Sequence, residues 1–393
     1  MTAIGSRSSP FTALLAARAL SLVGDGVGTL ALVVYVQRSV GTGKAIGLLL
    51  LFEALPSLLS PISGVVSDRF DRRLVIAACE VAQGLLTVLI LAWLPTLPLL
   101  LTLVGLKSTA ARIADPATRS AVPSLVPDEG LVRANAWYGA LREGAQVLGP
   151  LLGGVLVAIA GVRAGLAADA ATFFISVPLL LRLPSLRPDA TGEEEREGFA
   201  TQVREGVRYI VRHPVARAVA LGFFFIGFTG ADDVAMPFLA RHFGAGSAGL
   251  GTLYAATALG LVLGYLVILR LIRPIAPAAG FVAGCAVVGI GNGLTGIAPA
   301  IAVAVGFQLV RGVGIAVLET NLQTMLQRTV EPSMLGRVFA NVYGAVSIAG
   351  ALSVSLGGVL LDATSPRVVL LTVGALGLAA SAASGVLLRR VKP

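Results

Sequence analysis

The chain has 393 residues, of which 56% are hydrophobic and only 13% charged, with a formal net charge of +9. Soluble domains carry about 25% charged residues, so this composition excludes an ordinary water-soluble enzyme, a disordered chain and a small disulfide scaffold. The basic excess does not require a nucleic-acid partner, because basic loops orient membrane helices.

A membrane-crossing helix needs about 20 predominantly apolar residues. Stretches of this kind occur at 11–37, 44–67, 73–94, 97–118, 134–160, 164–182, 215–240, 248–270, 275–296, 299–326, 338–361 and 367–388. The first is too long for a cleaved signal peptide and carries Asp25. Twelve crossings place both termini on one side. Of the Lys and Arg residues in the loops and at the span ends, 21 fall on that side and 5 on the other. This bias predicts cytoplasmic termini and a multi-pass protein of the cytoplasmic membrane. Cys79 and Cys285 lie in apolar runs and imply no disulfide framework.

The loop after the second span reads Gly64-Val-Val-Ser-Asp68-Arg69-Phe-Asp-Arg72-Arg73. Asp68 can cap a neighbouring helix or pair with the loop arginines, latching one conformation; the alternative is simple topogenic charge. The fifth span holds Ala145-Gln-Val-Leu-Gly149-Pro150-Leu-Leu-Gly153-Gly154. Its glycines allow close helix approach, and Pro150 withdraws a backbone donor and favours a kink. The polar stretch 183–214 opens on Pro184 and Pro188 and passes through Glu193, Glu194, Glu195 and Glu197. It ends in TQVREGVRYIVRH (201–213), with valines and isoleucine on one face and Arg204, Arg208 and Arg212 on another. That pattern predicts a helix lying at the membrane interface, its arginines toward anionic lipid.

The two halves repeat at an offset of about 204 residues. LGGVL occurs at 152–156 and 356–360, Arg133 matches Arg337, Lys107 matches Arg311, and Ile46-Gly47 matches Leu250-Gly251. ANAWYGA (134–140) echoes ANVYGA (340–345) with a slip of a residue or two. The expected fold is therefore an all-α polytopic membrane protein of twelve transmembrane helices in two pseudo-symmetric six-helix bundles. The bundles are 1–182 and 215–393, joined by a linker at 183–214 with its short amphipathic helix.

Charges inside spans cost about 2.5–3.5 kcal/mol each at a helix centre, so they must pair or face water. Asp25, Glu53, Lys107, Asp232, Asp233, Arg311 and Glu319 are of this kind. The repeat suggests pairing Lys107 with Asp25, and Arg311 with Asp232 or Asp233. Glu53 either gates an outer mouth or hydrogen-bonds across helices. Glu80, Arg142 and Glu143 lie in the inner thirds of their spans, placed to snorkel or pair. Asp169, near one end of its span, is expected at the interface. One or two of Phe223, Phe224, Phe225 and Phe228 are candidates to touch a lipophilic substrate. His213 and His242 have no partner at ligand spacing, so no metal site is expected. No phosphate-binding loop and no nucleophile–base pattern occur, which predicts a protein that is not an enzyme and needs no cofactor.

The loop 64–73 resembles the G-x-x-x-D-R-x-x-R-R signature of the major facilitator superfamily, and 145–154 resembles its antiporter motif with Ala145 in place of the first glycine. Lys107, in LVGLK, is a weak echo of a third motif. SLVGDGVGTLAL (21–32), GVVSDRFDRR (64–73) and RHP (212–214) resemble the efflux branch of siderophore and macrolide-type drug exporters. The resemblance implies a central cavity lined by the first, fourth, seventh and tenth helices, a seal between the halves at the antiporter motif, and a monomer. It also implies a proton-driven exporter of a drug-like, amphipathic or siderophore-like small molecule, working by alternating access. Asp25, Asp232, Asp233, Glu53 and Glu319 are the proton-coupling candidates; Asp25, Lys107, Asp232, Asp233, Phe228, Arg311 and Glu319 are the cavity candidates. The excess of cavity acids over bases leans toward cationic lipophiles. A lysophospholipid flippase, an uptake carrier and a transport-incompetent sensor of the same fold remain alternatives.

Overall fold

In a hydrocarbon environment every backbone N–H and C=O must be satisfied within the segment, which restricts an apolar chain of this kind to helices. The computed structural model describes residues 10–56, 70–127, 130–187, 199–270 and 276–389. Its helices are α1 (Pro10–Ser39), α2 (Gly43–Ala54), α3 (Arg72–Trp93), α4 (Leu97–Ala121), α5 (Leu131–Leu181), α6 (Phe199–Arg212) and α7 (Pro214–Gly227). A 3-10 turn (Phe228–Ala231) leads into α8 (Asp232–His242), followed by α9 (Gly246–Arg270), α10 (Pro277–Ile297), α11 (Ile301–Thr329), α12 (Pro332–Ala363) and α13 (Pro366–Arg389). Among the described residues, ten helical stretches are long and apolar enough to cross a membrane.

One span differs from the expected pattern. The fifth and sixth, together α5, are two helices that meet at a sharp kink where Gly161 adopts the non-helical φ 83°, ψ 175°, close to the expected boundary. Only glycine takes that backbone angle without strain, so one residue does the work of a loop. The seventh span is broken by the 3-10 turn. Ser353 bridges the break, its hydroxyl donating to the Phe228 carbonyl at 2.5 Å and accepting from the Ala231 N–H at 2.9 Å. For the second span, α2 is described to Ala54, and Gly64, Asp68 and Arg69 of the signature loop lie outside the described residues.

The chain packs as two compact units. Met1–Gly41 with Phe52–Gly192 form one; Thr42–Leu51 with Glu193–Pro393 form the other. The first has a core around Phe11, Leu14, Ile76 and Leu180, the second around Phe223, Phe281, Leu322 and Val338. The start of α2 belongs to the second unit. There the Asp362 carboxylate accepts from the N–H groups of Gly43 (2.5 Å) and Lys44 (3.1 Å), satisfying orphan donors of the first helical turn.

Glycines hold both units together in matching ways. In the first, a Cβ at Gly153 would lie 3.0 Å from Val27 Cα; in the second, a Cβ at Gly357 would overlap Ala231. These pairs are equivalent at the 204-residue offset, so the LGGVL repeat marks the same helix crossing twice. Gly149 likewise meets Gly26, where an added Cβ would lie 2.8 Å from the facing Cα. The antiporter-motif glycines therefore pack against α1 within their own unit. Ala145 is buried beside them, and Pro150 lies inside α5.

At the basic end of the first unit, Asp71 caps α3. Its carboxylate accepts from Arg73 N (3.0 Å), Ser185 Oγ (2.7 Å) and Leu186 N (3.1 Å). Arg72 reaches the Ser120 carbonyl at 3.2 Å, and Arg73 the Leu183 carbonyl at 2.9 Å. This knot ties the start of α3 to the ends of α4 and α5. Burial alone would push the Asp71 carboxyl up, but the three hydrogen bonds and the Arg73 charge outweigh it and hold the group below its ordinary value. A carboxylate depressed in the folded state stabilises the fold above its unfolded value, near pH 4, and that contribution disappears as pH falls through the folded value. Asp71→Ala is expected to destabilise the protein by about 1–3 kcal/mol at neutral pH, with a smaller difference from wild type in strong acid. Thermal melts in detergent across pH provide the check.

Candidate transport site

The buried charges of the first unit gather around a cavity of about 190 Å³. Its charged lining is Arg18, Asp25, Glu53, Lys107, Arg112, Asp115 and Arg142. Drug-sized ligands usually occupy about 300–1,000 Å³, so this space suits one polar moiety of a substrate rather than a whole molecule.

Lys107, from the middle of α4, is the centre. Its Nζ lies 3.1 Å from Asp25 Oδ1 on α1 and 2.6 Å from Asp169 Oδ2 on α5. Thr87 donates to the same Asp169 oxygen at 3.5 Å, and the Phe173 ring lies 5.0 Å from the ammonium. The two carboxylates are unlike. The Asp169 side chain is fully enclosed, whereas that of Asp25 is 31% exposed. Asp169 is thus at the heart of the site and not at the interface, because α5 runs back through Gly161 and places it deep in the bundle. Space for its carboxylate comes from Gly28 on α1, where any Cβ would overlap Asp169 Oδ2.

A second pair lies beside the first. Arg18 Nη1 meets Glu80 Oε1 at 2.6 Å, with Ser21 and Ser176 donating to the same carboxylate at 3.0 and 2.7 Å. Glu53 accepts from Thr29 Oγ1 at 3.0 Å, a hydrogen bond from α1 to α2.

The second unit carries a simpler arrangement. Arg311 Nη2 lies 2.6 Å from the fully buried Asp232 Oδ2, and Nη1 lies 3.5 Å from Gln308 Oε1. Gln308 also accepts from Thr257 at 2.9 Å and donates to Thr295 at 3.1 Å. Asp233 is the second residue of α8; its carbonyl accepts from Tyr254 at 3.1 Å. Glu319 accepts from Tyr265 at 3.0 Å. Phe228 sits in the 3-10 turn, edge-on to Phe224 at 5.4 Å.

The repeat explains the difference. Lys107 and Arg311 are equivalent, and so are Gly28 and Asp232 at the 204-residue offset. In the second unit Asp232 supplies the counter-ion from its own helix. In the first, Gly28 leaves that space empty and Asp169 fills it from α5. Asp169 is therefore the spatial counterpart of Asp232, and Asp25 is an additional carboxylate: its own equivalent is Thr229. The cavity lining carries both signs of charge, with Arg18, Arg112 and Arg142 beside Asp25, Glu53 and Asp115.

The family model of the Major Facilitator Superfamily matches residues 9–232 and 233–393. The chain belongs to this superfamily. It is a multi-pass membrane transporter of small molecules and not an enzyme. The chain is 26% identical over 364 residues to the uncharacterized MFS-type transporter YfiS of Bacillus subtilis, covering 89% of this chain and 86% of that one. It is 29% identical over 333 residues to the enterobactin exporter EntS of Escherichia coli, covering 84% and 79%. Solved structures share the fold at lower identity. The nucleoside transporter NupG aligns with a TM-score of 0.78 at 14% identity, covering 97% of this chain and 100% of that one. A bacterial homologue of the human lysosomal transporter Spinster, inward-facing and occupied, gives 0.77 at 15%, covering 97% and 96%.

Replacing Gly28 by Ala tests whether the Gly28 gap seats Asp169. The expected result is a loss of about 1–3 kcal/mol in thermal stability, with Gly28→Ala combined with Asp169→Ala regaining part of it. Strict additivity of the two changes would mean that they do not share the space.

Proposed function

We propose that this transporter exports an amphipathic small molecule, drug-like or siderophore-like, in exchange for protons. It works by alternating access as a monomer in the cytoplasmic membrane, with both termini inside and the proton gradient as its energy source. One observation carries the reading. Two carboxylates share the Lys107 ammonium, and one of them, Asp25, is open to the cavity. With both ionised, the cluster holds one negative charge in excess inside a poorly polarisable medium, where uncompensated charge is costly. A proton, or a positive group on the substrate, removes that excess. Binding of one therefore competes with binding of the other, which is the requirement for exchange.

The comparison between repeats supports Asp25 over the other candidates. Asp169 is the enclosed counter-ion, and Asp232 is matched one-to-one by Arg311; both serve to neutralise a buried cation. Asp25 has the excess charge and the access. Glu53 accepts from Thr29 and Glu319 from Tyr265, and both stand as secondary proton sites. The similarity to an enterobactin exporter supports a cargo rich in polar groups, and Arg112 and Arg142 on the cavity wall offer cations to an acidic one.

Proteoliposomes with an imposed pH gradient test the proposal, using a lipophilic cation and a catechol siderophore as probes. Wild type is expected to move at least one probe in a gradient-dependent manner. Asp25→Asn is expected to lose the gradient-driven component while retaining exchange of labelled for unlabelled probe. Full gradient-driven accumulation by Asp25→Asn would overturn the assignment.

A further inference from the structure

The amphipathic helix α6 and the start of α12 enclose a groove of about 500 Å³ lined by Glu205, Arg208, Tyr209, Arg212, His213 and Met334. We infer that this groove holds the phosphate headgroup of an anionic phospholipid of the inner leaflet. Such a site needs the cytoplasmic placement of the basic loops and does not depend on the transport mechanism.

The helix presents three distinct faces. Gly206 points into the protein, where a Cβ would overlap the Asn341 side chain and lie 2.8 Å from the Arg337 carbonyl. Glu205 forms an ion pair with Arg337 on α12, and the Glu331 N–H donates to Tyr209 Oη at 3.3 Å. These contacts dock α6 firmly on the second unit. Arg204, Arg208 and Arg212 recur every four residues and form one exposed row. Val207 and Val211 form the adjoining row and are 46% and 56% exposed.

An exposed apolar row beside an exposed cationic row matches a leaflet boundary. The valines enter the acyl region and the arginines sit at phosphate depth. Arg208 and Arg212 of the cationic row line the groove. Its one carboxylate among the described residues, Glu205, pairs with Arg337, and Arg208 and Arg212 supply its remaining charge. Tyr209 and His213 stack at 5.5 Å with ring planes 5° apart, forming a flat wall beside them. Arg217 turns back to donate to the Val211 carbonyl at 3.1 Å, adding a third cation at the end of the helix. Guanidinium groups bind phosphate oxygens through paired, charge-assisted hydrogen bonds, and each basic residue near an anionic surface adds appreciably to lipid attraction.

Native mass spectrometry of the purified full chain, titrated with phosphatidylglycerol or phosphatidylcholine of the same acyl composition, tests the site. Wild type is expected to retain phosphatidylglycerol preferentially. Arg208→Gln with Arg212→Gln is expected to weaken that preference by about 10- to 30-fold. Arg208→Lys with Arg212→Lys is expected to keep most of it, which separates loss of charge from loss of folding. Equal retention of the two lipids by wild type, or an unchanged preference in the glutamine variant, would overturn the inference. Displacement of the lipid by inorganic phosphate would overturn it too, reassigning the groove to a soluble phosphate.

Discussion

Charge that enters an apolar slab must be matched where it lies, and the first unit of this protein is arranged around that requirement. Lys107 sits in the middle of α4. Its two partners come from helices far apart in sequence, α1 and α5. Bringing a carboxylate from α5 to that ammonium requires α1 to give way, and Gly28 does so. The close crossing of α1 and α5 then needs Gly26 against Gly149 and Gly153 against Val27. The small residues that look like a packing motif thus also serve electrostatics, since they set the distance at which the ion cluster closes. Arg18 and Glu80 repeat the logic between α1 and α3, with two serines completing the carboxylate's hydrogen bonds.

The internal repeat preserves the cation and relocates its counter-ion. Lys107 and Arg311 hold the same place, yet Asp169 reaches the first from α5 while Asp232 reaches the second from the start of α8. Ser353 stands where Gly149 stands in the other half, and its hydroxyl bridges a break that α1 does not have. Once the seventh span is broken, Asp232 becomes the first residue of a helix, where backbone N–H groups favour negative charge. The second unit therefore holds its carboxylate by a cation and a helix start together. The first holds two carboxylates by one cation. The two units share this scaffold, and the Lys107 cluster holds one more carboxylate than the Arg311–Asp232 pair.

Much of this was readable in the sequence, because burial cost gives few options. The near-absence of charge outside basic loops identified the membrane class, and the 204-residue offset paired Lys107 with Arg311. Charges too costly to leave exposed pointed to the Asp25–Lys107 and Asp232–Arg311 contacts. Asp169 was misplaced because a span boundary at 164 puts it near an end. The two helices in fact meet at Gly161 alone, with no further loop residues, so the second begins before 164 and Asp169 lies about two turns inside it. A signal was present: Gly28 and Asp232 align, so the first repeat lacked a counter-ion that had to come from elsewhere. The break at Phe228–Ala231 depends on a serine more than 120 residues away, which local sequence does not reveal. Gly227 just before it and Gly230 within it were the local hint.

The three-member cluster has a further consequence, set by the voltage across the membrane. Ionised at both carboxylates, it carries one negative charge; with a proton added, it carries none. The field acts on the first form and not on the second, at about 2.3 kcal/mol per charge moved through 100 mV. The neutral Arg311–Asp232 pair in the other half is indifferent to it. Any step that displaces the cluster along the membrane normal is therefore electrically silent when protonated and voltage-sensitive when not. Under the proposed exchange with protons, the single extra aspartate would set which half of the cycle the membrane potential drives.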